Sequence, residues 1–272
     1  MMAARESDEL ESVGLESVGL ESAGPESGGP ESGGLESGGL ESGARDYGRA
    51  FALWRAAAGP AWPGYTRHAF VAGLGDGSLP RAAFLHYLRQ DYVFLFHFAR
   101  AWALVAAKAE TLGEMRLAAA TVAGLAEGEM GLHVALCARE GIDAAALMAT
   151  EEAPENLAYT RYVLEAGYSG DVLDLLAALA PCVLGYGEIG TRLAREAGDT
   201  PYAEWIEAYA GDEYQTVCRD VGALIDAAVE RRLGPDFAAT PRWRRLEARF
   251  RDATRLEIGF WQMGLRGGPD GA

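Results

Sequence analysis

Leu175–Leu193 reads LLAALAPCVLGYGEIGTRL, and its periodicity decides the fold. Leu175, Leu179, Cys182, Tyr186, Ile189 and Leu193 recur at steps of four and three, which places them on one face of a helix. That face turns a thiol and a phenol toward an apolar interior. Pro181 has no N–H and crowds the carbonyl of Ala177, so a kink is expected beside the thiol. Most free cysteines are small buried hydrophobes. A kink beside an inward-facing Cys also suits the wall of a pocket. On this stripe alone both readings stand.

Two other helices carry the same anomaly. Over about Arg81–Glu110, Phe84, Leu88, Asp91, Leu95, Phe98, Trp102 and Val105 alternate by four and three. Asp91 therefore sits among large apolar side chains, where an unpaired carboxylate would cost several kcal/mol of desolvation. It needs a partner, a raised pKa or a wet pocket. In the last helix, opened by Thr240-Pro241, Trp243, Leu246, Phe250, Ala253, Glu257, Phe260 and Gly264 repeat the pattern, with Glu257 as the interior acid.

Between them, about Gly113–Glu140 reads as one helix whose stripe includes Glu129. Glu129 and His133, four apart, are expected to form a buried Glu–His hydrogen bond rather than a metal site. Pro154 opens a helix carrying Tyr159 and Tyr162. Trp205, Tyr209 and Asp212 give a half-aromatic face to a helix that continues to about Arg232. Gly59–Gly64 reads as a Pro/Gly break, and Gly75–Pro80 (GDGSLP) as a loop. No run of alternating strands is present in the body. The fold class is all-α, about eight helices in one domain.

Composition limits the function classes. Glu11–Leu40 is six copies of a five-residue Glu-Ser unit rich in Gly. Its period fits neither helix nor strand, so 1–43 is expected to be a disordered acidic leader and 44–272 the folded domain. The leader holds ten acids and one Arg, so more than half of the net charge of −16 belongs to it. The body has no basic stripe, which argues against nucleic acid as a partner. Three widely spaced cysteines, Cys137, Cys182 and Cys218, form neither a disulfide framework nor a zinc pattern. No signal peptide is recognisable, and no stretch approaches ~18 uninterrupted apolar residues, so membrane insertion is not expected and the cytoplasm is the default location.

Asp91, Cys182, Tyr209 and Glu257 thus occupy inward faces of four different helices. A shared aromatic-lined pocket would supply the partners that buried acids require. A thiol beside an acid that gives and takes protons is a sensible chemical set, with no His–Asp relay placed near Cys182. The residues alone support a cysteine-dependent helical enzyme, or a bundle with a polar core.

The stretches GDGSLPRAAFLHYLRQDYVFLFHFAR, EGEMGLH, LAYTRYVL, LLAALAPCVLGYGEIG, WIEAYAGDEY and LEIGFWQM, in this order, resemble the TenA family, also called thiaminase II or aminopyrimidine aminohydrolase. The resemblance covers about Arg45–Gly267. Cys182/Tyr186, Asp91 and Glu257/Trp261 place the chain in the Cys-bearing branch. The resemblance implies a haem-oxygenase-like bundle, usually a homotetramer, working without a cofactor. It implies hydrolysis of 4-amino-5-aminomethyl-2-methylpyrimidine to the hydroxymethylpyrimidine and ammonia in thiamin salvage, with thiamin as a second substrate. Cys182 would be the nucleophile and Glu257 the proton donor and acceptor. Asp91 would hold the 4-amino group, Tyr186 and Tyr209 would frame the ring, and Tyr159 would sit at the wall. Phe94 stands where many relatives have Tyr, and so removes a donor to the thiolate. Glu129 and His133 match the family in a structural role. Two other readings stand beside the enzyme: a pyrimidine-binding or regulatory homologue without turnover, and an iron- or haem-dependent oxygenase relative.

Overall fold

The computed structural model describes residues 47–267, so the acidic leader expected at 1–43 lies outside the described residues. Twelve α-helices and no strand occur among the described residues. In order they are α1 (Arg49–Ala58), α2 (Ala61–Thr66), α3 (Ala69–Asp76), α4 (Arg81–Lys108), α5 (Leu112–Gly124), α6 (Met130–Ala138), α7 (Ala144–Met148), α8 (Pro154–Ser169), α9 (Val172–Glu196), α10 (Ala203–Ala210), α11 (Asp212–Leu233) and α12 (Pro241–Arg266). The count exceeds eight because short helices fill what the sequence suggests are connections. The all-α bundle itself is as expected.

α9 is the axis. It packs against α8, α10, α11 and α12, while α4 packs against α5, α8, α9 and α12. Its start is fixed by a capping box between Asp171 and Asp174. Arg242 of α12 pairs with both acids and Arg249 with Asp174, which locks the start of α9 to α12. The helix runs through Pro181 without a break in its assignment. By length and composition α9 could cross a membrane, but 89% of its apolar window is buried within the domain. Its hydrophobicity is used in packing.

Two glycines let neighbours approach α9 closely. A Cβ on Gly185 would lie 2.4 Å from the Tyr65 ring, and one on Gly190 would lie 2.6 Å from the Tyr209 carbonyl carbon. The second contact seats α10 directly on α9.

α12 has two halves. Trp243 and Phe250 stack on Trp54 at 5.3 and 5.6 Å, forming an apolar anchor with α1. Glu257, Phe260 and Trp261 follow two turns later, facing α4, α8 and α9. Burial there fixes the height at which Glu257 enters the interior.

Three expectations need correction. The supposed break at Gly59–Gly64 is largely α2, because Pro63 lies in the first turn, where an N–H has no helical partner anyway. The helix expected from Trp205 to Arg232 is divided at Gly211, whose extended backbone ends α10 and starts α11. The helix expected over Gly113–Glu140 is interrupted by a π-turn at Leu125–Glu129. A π-turn holds one residue more than an α-turn, so it rotates the face presented downstream.

Candidate active site

Asp91 is buried on α4, 3% exposed, as its stripe requires. Its partners come from two helices. Tyr87, one turn earlier, donates to Asp91 Oδ2 at 2.9 Å, and His133 Nε2 lies 2.7 Å from the same oxygen. The other ring nitrogen, Nδ1, donates to the Glu129 carbonyl at 2.8 Å. A carbonyl only accepts, so the proton on Nδ1 is fixed and Nε2 is left to face Asp91. Burial works against an imidazolium here, but the Asp91 hydrogen bond and charge, aided by Glu129, override it and raise the His133 pKa. The expected Glu129–His133 side-chain hydrogen bond is therefore replaced by a His133–Asp91 pair, and His133 bonds only the backbone of Glu129. The His133–Asp91 pair acts on Cys182 through the charge of Asp91 rather than as a hydrogen-bonded relay.

The Glu129 carboxyl has a different partner. Tyr209 of α10 donates to its Oε1 at 2.6 Å. Burial, then the Asp91 charge, push Glu129 up to about 7, against the pull of His133 and Tyr209. Glu257 on α12 is 1% exposed and accepts from Tyr159 of α8 at 2.8 Å. Burial pushes it up to about 8, with the Tyr159 hydrogen bond opposing and the Asp91 charge adding.

Tyr159 owes its place to Gln90. The Gln90 amide donates to the Glu151 carbonyl at 2.8 Å and accepts from the Ala153 N–H at 3.0 Å. Asn156 of α8 donates back to the Gln90 carbonyl at 2.8 Å. This clamp ties the start of α8 to α4, one residue before Asp91.

Cys182 is half-buried, and among the described residues none is hydrogen-bonded to its thiol. Its thiol is pushed well above its ordinary pKa, first by burial and then by the negative charges of Glu257, Glu129 and Asp91. The sulfur is thus close enough to all three carboxyls to feel them. Cys182, Glu129 and Tyr214 each keep some accessible surface. An open cleft of about 410 Å³ beside Lys108, Asp171, Arg232 and Arg242 shares none of these residues.

Aromatic rings pack around these groups. Tyr186, one turn after Cys182, contacts Tyr209 at 5.0 Å, Trp261 at 5.3 Å and Trp205 at 6.0 Å. Phe94, one turn after Asp91, contacts Tyr159 at 4.9 Å and Phe260 at 5.5 Å. The structure therefore gathers Cys182, Asp91, Glu257, Tyr159, Tyr186, Tyr209 and Phe94 around one region. Tyr87, which the sequence reading does not name, also belongs to it, as do Trp205 and Phe260, read from sequence only as members of an aromatic face and an apolar stripe. Tyr87 was legible in principle, being four residues before Asp91 on the same face. Trp205, which donates to the Tyr87 hydroxyl at 3.4 Å, had no such signal toward Asp91.

Among the described residues no three His, Cys, Asp or Glu side chains are grouped to hold a metal ion. The arrangement offers a protonated thiol, an acceptor paired with an imidazole, and two carboxyls that exchange protons near neutral pH.

Comparison with known proteins gives a consistent picture. Residues 55–267 match the model of the TENA/THI-4/PQQC family. An aminopyrimidine aminohydrolase of Halalkalibacterium halodurans is 37% identical over 76% of this chain and 91% of its own length. One from Bacillus subtilis is 31% identical over 78% and 88%. Among solved structures, a protein of a Silicibacter species described as a TenA family transcription regulator is 63% identical, with a TM-score of 0.79 over 80% of this chain and 97% of that one. A haem-oxygenase-like domain from Shewanella denitrificans, 13% identical with a TM-score of 0.55 over 78% of this chain and 87% of that one, shares the fold.

Proposed function

The chain belongs to the TENA/THI-4/PQQC family, and from that premise we propose that it is an aminopyrimidine aminohydrolase. It hydrolyses 4-amino-5-aminomethyl-2-methylpyrimidine to the 5-hydroxymethyl compound and ammonia, and also cleaves thiamin. The observation that supports this reading is the Cys182 thiol on which the charges of Asp91, Glu129 and Glu257 all act, Asp91 and Glu257 being buried.

A thiol raised by burial is a poor nucleophile until a base takes its proton. Glu257 suits that task, because a carboxyl with a pKa of about 8 is present in both forms near neutral pH. In the proposed sequence, the Cys182 proton passes to Glu257 as sulfur bonds to a ring carbon. The ring loses aromaticity, and the exocyclic C–N bond breaks as Glu257 returns the proton to the leaving amine. Water adds to the methylene and loses a proton to Glu257. Expulsion of the sulfur, which takes that proton back, restores the ring. The sum consumes one water and releases one ammonia. Asp91 holds the 4-amino group, backed by Tyr87 and His133, while Tyr186, Tyr159 and Phe94 wall the ring. No cofactor enters this scheme.

We place the protein in the cytoplasm as a homotetramer that acts on small molecules rather than on nucleic acid or membranes. Sedimentation velocity measures the assembly.

The description of the Silicibacter protein favours a second reading, a pyrimidine-responsive regulator without turnover. Ammonia release from the aminomethylpyrimidine separates the two. The enzyme releases ammonia, and Cys182→Ser loses at least about a thousandfold of that rate with its helical circular dichroism unchanged. Binding without release supports the regulator. Near wild-type turnover in Cys182→Ser removes the sulfur from the mechanism.

A further inference from the structure

Glu129 is the one carboxyl of the site to which the mechanism above gives no task, and its placement is unusual. The π-turn Leu125–Glu129 ends on it and aims it at the Tyr209 hydroxyl. Its neighbours are few enough to consider in full. α4 contributes Asp91 and Tyr87, α6 contributes His133, and α9 contributes Cys182. From α10 comes Tyr209, and from α11 come Tyr214 and Cys218. Among the described residues only Tyr209 has a side-chain hydrogen bond to the carboxyl.

A phenol has one proton to donate. While Glu129 is a carboxylate, that proton is committed to Oε1, and Tyr209 can offer the pocket only lone pairs. A neutral Glu129 carries its own O–H and can donate to the phenol oxygen, which releases the phenol proton. The difference matters for a 4-aminopyrimidine. Its amidine edge carries an N–H donor on the 4-amino group next to an acceptor at the ring nitrogen. Asp91 accepts; a complementary wall needs a donor beside it. Tyr209 lies close enough to Asp91 to feel its charge.

We propose that Glu129 is a positioning residue that sets the hydrogen-bond direction of Tyr209, its protonated form releasing the phenol to donate to the ring nitrogen while Asp91 accepts from the 4-amino group. This rests on the pyrimidine reading of the site. The pocket then adds to the Asp91 contact a second one, controlled by one proton, that a 4-amino ring makes and a 4-oxo ring does not. Because Glu129 sits at about 7, the distinction weakens as pH rises through neutrality.

The test measures the dissociation constant of 4-amino-5-hydroxymethyl-2-methylpyrimidine between about pH 6.5 and 8.5, with ammonia release assayed in parallel. In the wild type, affinity is expected to fall about tenfold across this range, the worth of one lost hydrogen bond. Glu129→Gln, whose amide donates to the phenol at every pH, should vary less than about threefold. Tyr209→Phe should bind weakly and without the pH dependence that Glu129 imposes. The analogue with carbon in place of the ring nitrogen keeps only the slope that Glu257, at about 8, gives to both ligands, so the ratio of the two dissociation constants in the wild type should change about tenfold across the range, a measurement that needs no variant to fold. Identical pH profiles for wild type and Glu129→Gln, or a ratio of the two ligands that stays constant with pH, overturn the proposal even if hydrolysis proceeds. The predicted slopes without ammonia release would sustain the proposal and remove the enzyme reading. Absence of any binding removes both.

Discussion

Glu257 shows what the site demands of a single residue. Its pKa of about 8 lies far above the ordinary carboxyl value because folding removes the charged form from water. A group whose folded pKa is raised binds its proton more tightly in the folded state. Its contribution to stability is complete below the ordinary carboxyl pKa and is lost as pH rises through about 8. Glu257→Gln avoids the ionisation altogether. It is expected to abolish ammonia release and yet to be more stable than wild type at about pH 9, on the order of 3 kcal/mol, with little difference at about pH 5. Urea titrations at the two pH values check this. Asp91 is tied in place by His133 and Tyr87, which both bond one of its oxygens. Asp91→Ala strands the His133 ring against an apolar wall and should cost about 2–4 kcal/mol of stability as well as pyrimidine binding.

Elements set the positions of these residues, and they differ in how well the sequence announces them. The stripes of α4, α9 and α12 were legible because long helices with a 3.6-residue period leave a regular record. Asp91, Cys182 and Glu257 stood out as the polar members of stripes otherwise built from Leu, Phe and Trp. The π-turn left no such record. Its residues, LAEGE, satisfy an α pattern equally well, and the added residue shows only in the direction of Glu129. The Glu129–His133 pairing failed for that reason, since a four-residue spacing places side chains together only on a regular helix. α2 and the division at Gly211 were missed because short helices depend on packing more than on propensity. Gly190 is a test at this scale. A methyl group there would meet the Tyr209 backbone at 2.6 Å and push α10 off α9. Gly190→Ala should cost about 1–3 kcal/mol and raise KM more than it lowers kcat, because Tyr209 moves with α10. Thermal melts and steady-state kinetics measure the two effects.

Across the whole domain the buried ionisable groups act in concert. Glu129, Glu257 and His133 all have raised pKa values in the folded state, so each takes up protons on folding. All three contributions to stability diminish as pH increases, the carboxyls from their ordinary range upward and His133 from about 6.5. The lowered carboxyls, Asp174 and Glu114 among them, oppose this only at acid pH, where protonation would break their bonds to Arg242 and Arg232. The domain should therefore be most stable near pH 5 and lose on the order of 5 kcal/mol by pH 8, more than Glu257 alone contributes, visible as a falling Tm. The sequence indicated the acids but not this balance, which depends on how far each is withdrawn from water. Residues 1–43 contribute none of these groups, and their removal should leave Tm and ammonia release unchanged.

The π-turn at Leu125–Glu129 has an implication for inheritance. One residue fewer in that turn would restore a regular helix and swing everything after it by about 100°. A single codon lost or gained could thus withdraw an acid from the cavity, or install one, with no substitution anywhere. Descendants of a common ancestor that differ in length at this place should differ in what they bind, even where all the aligned side chains agree.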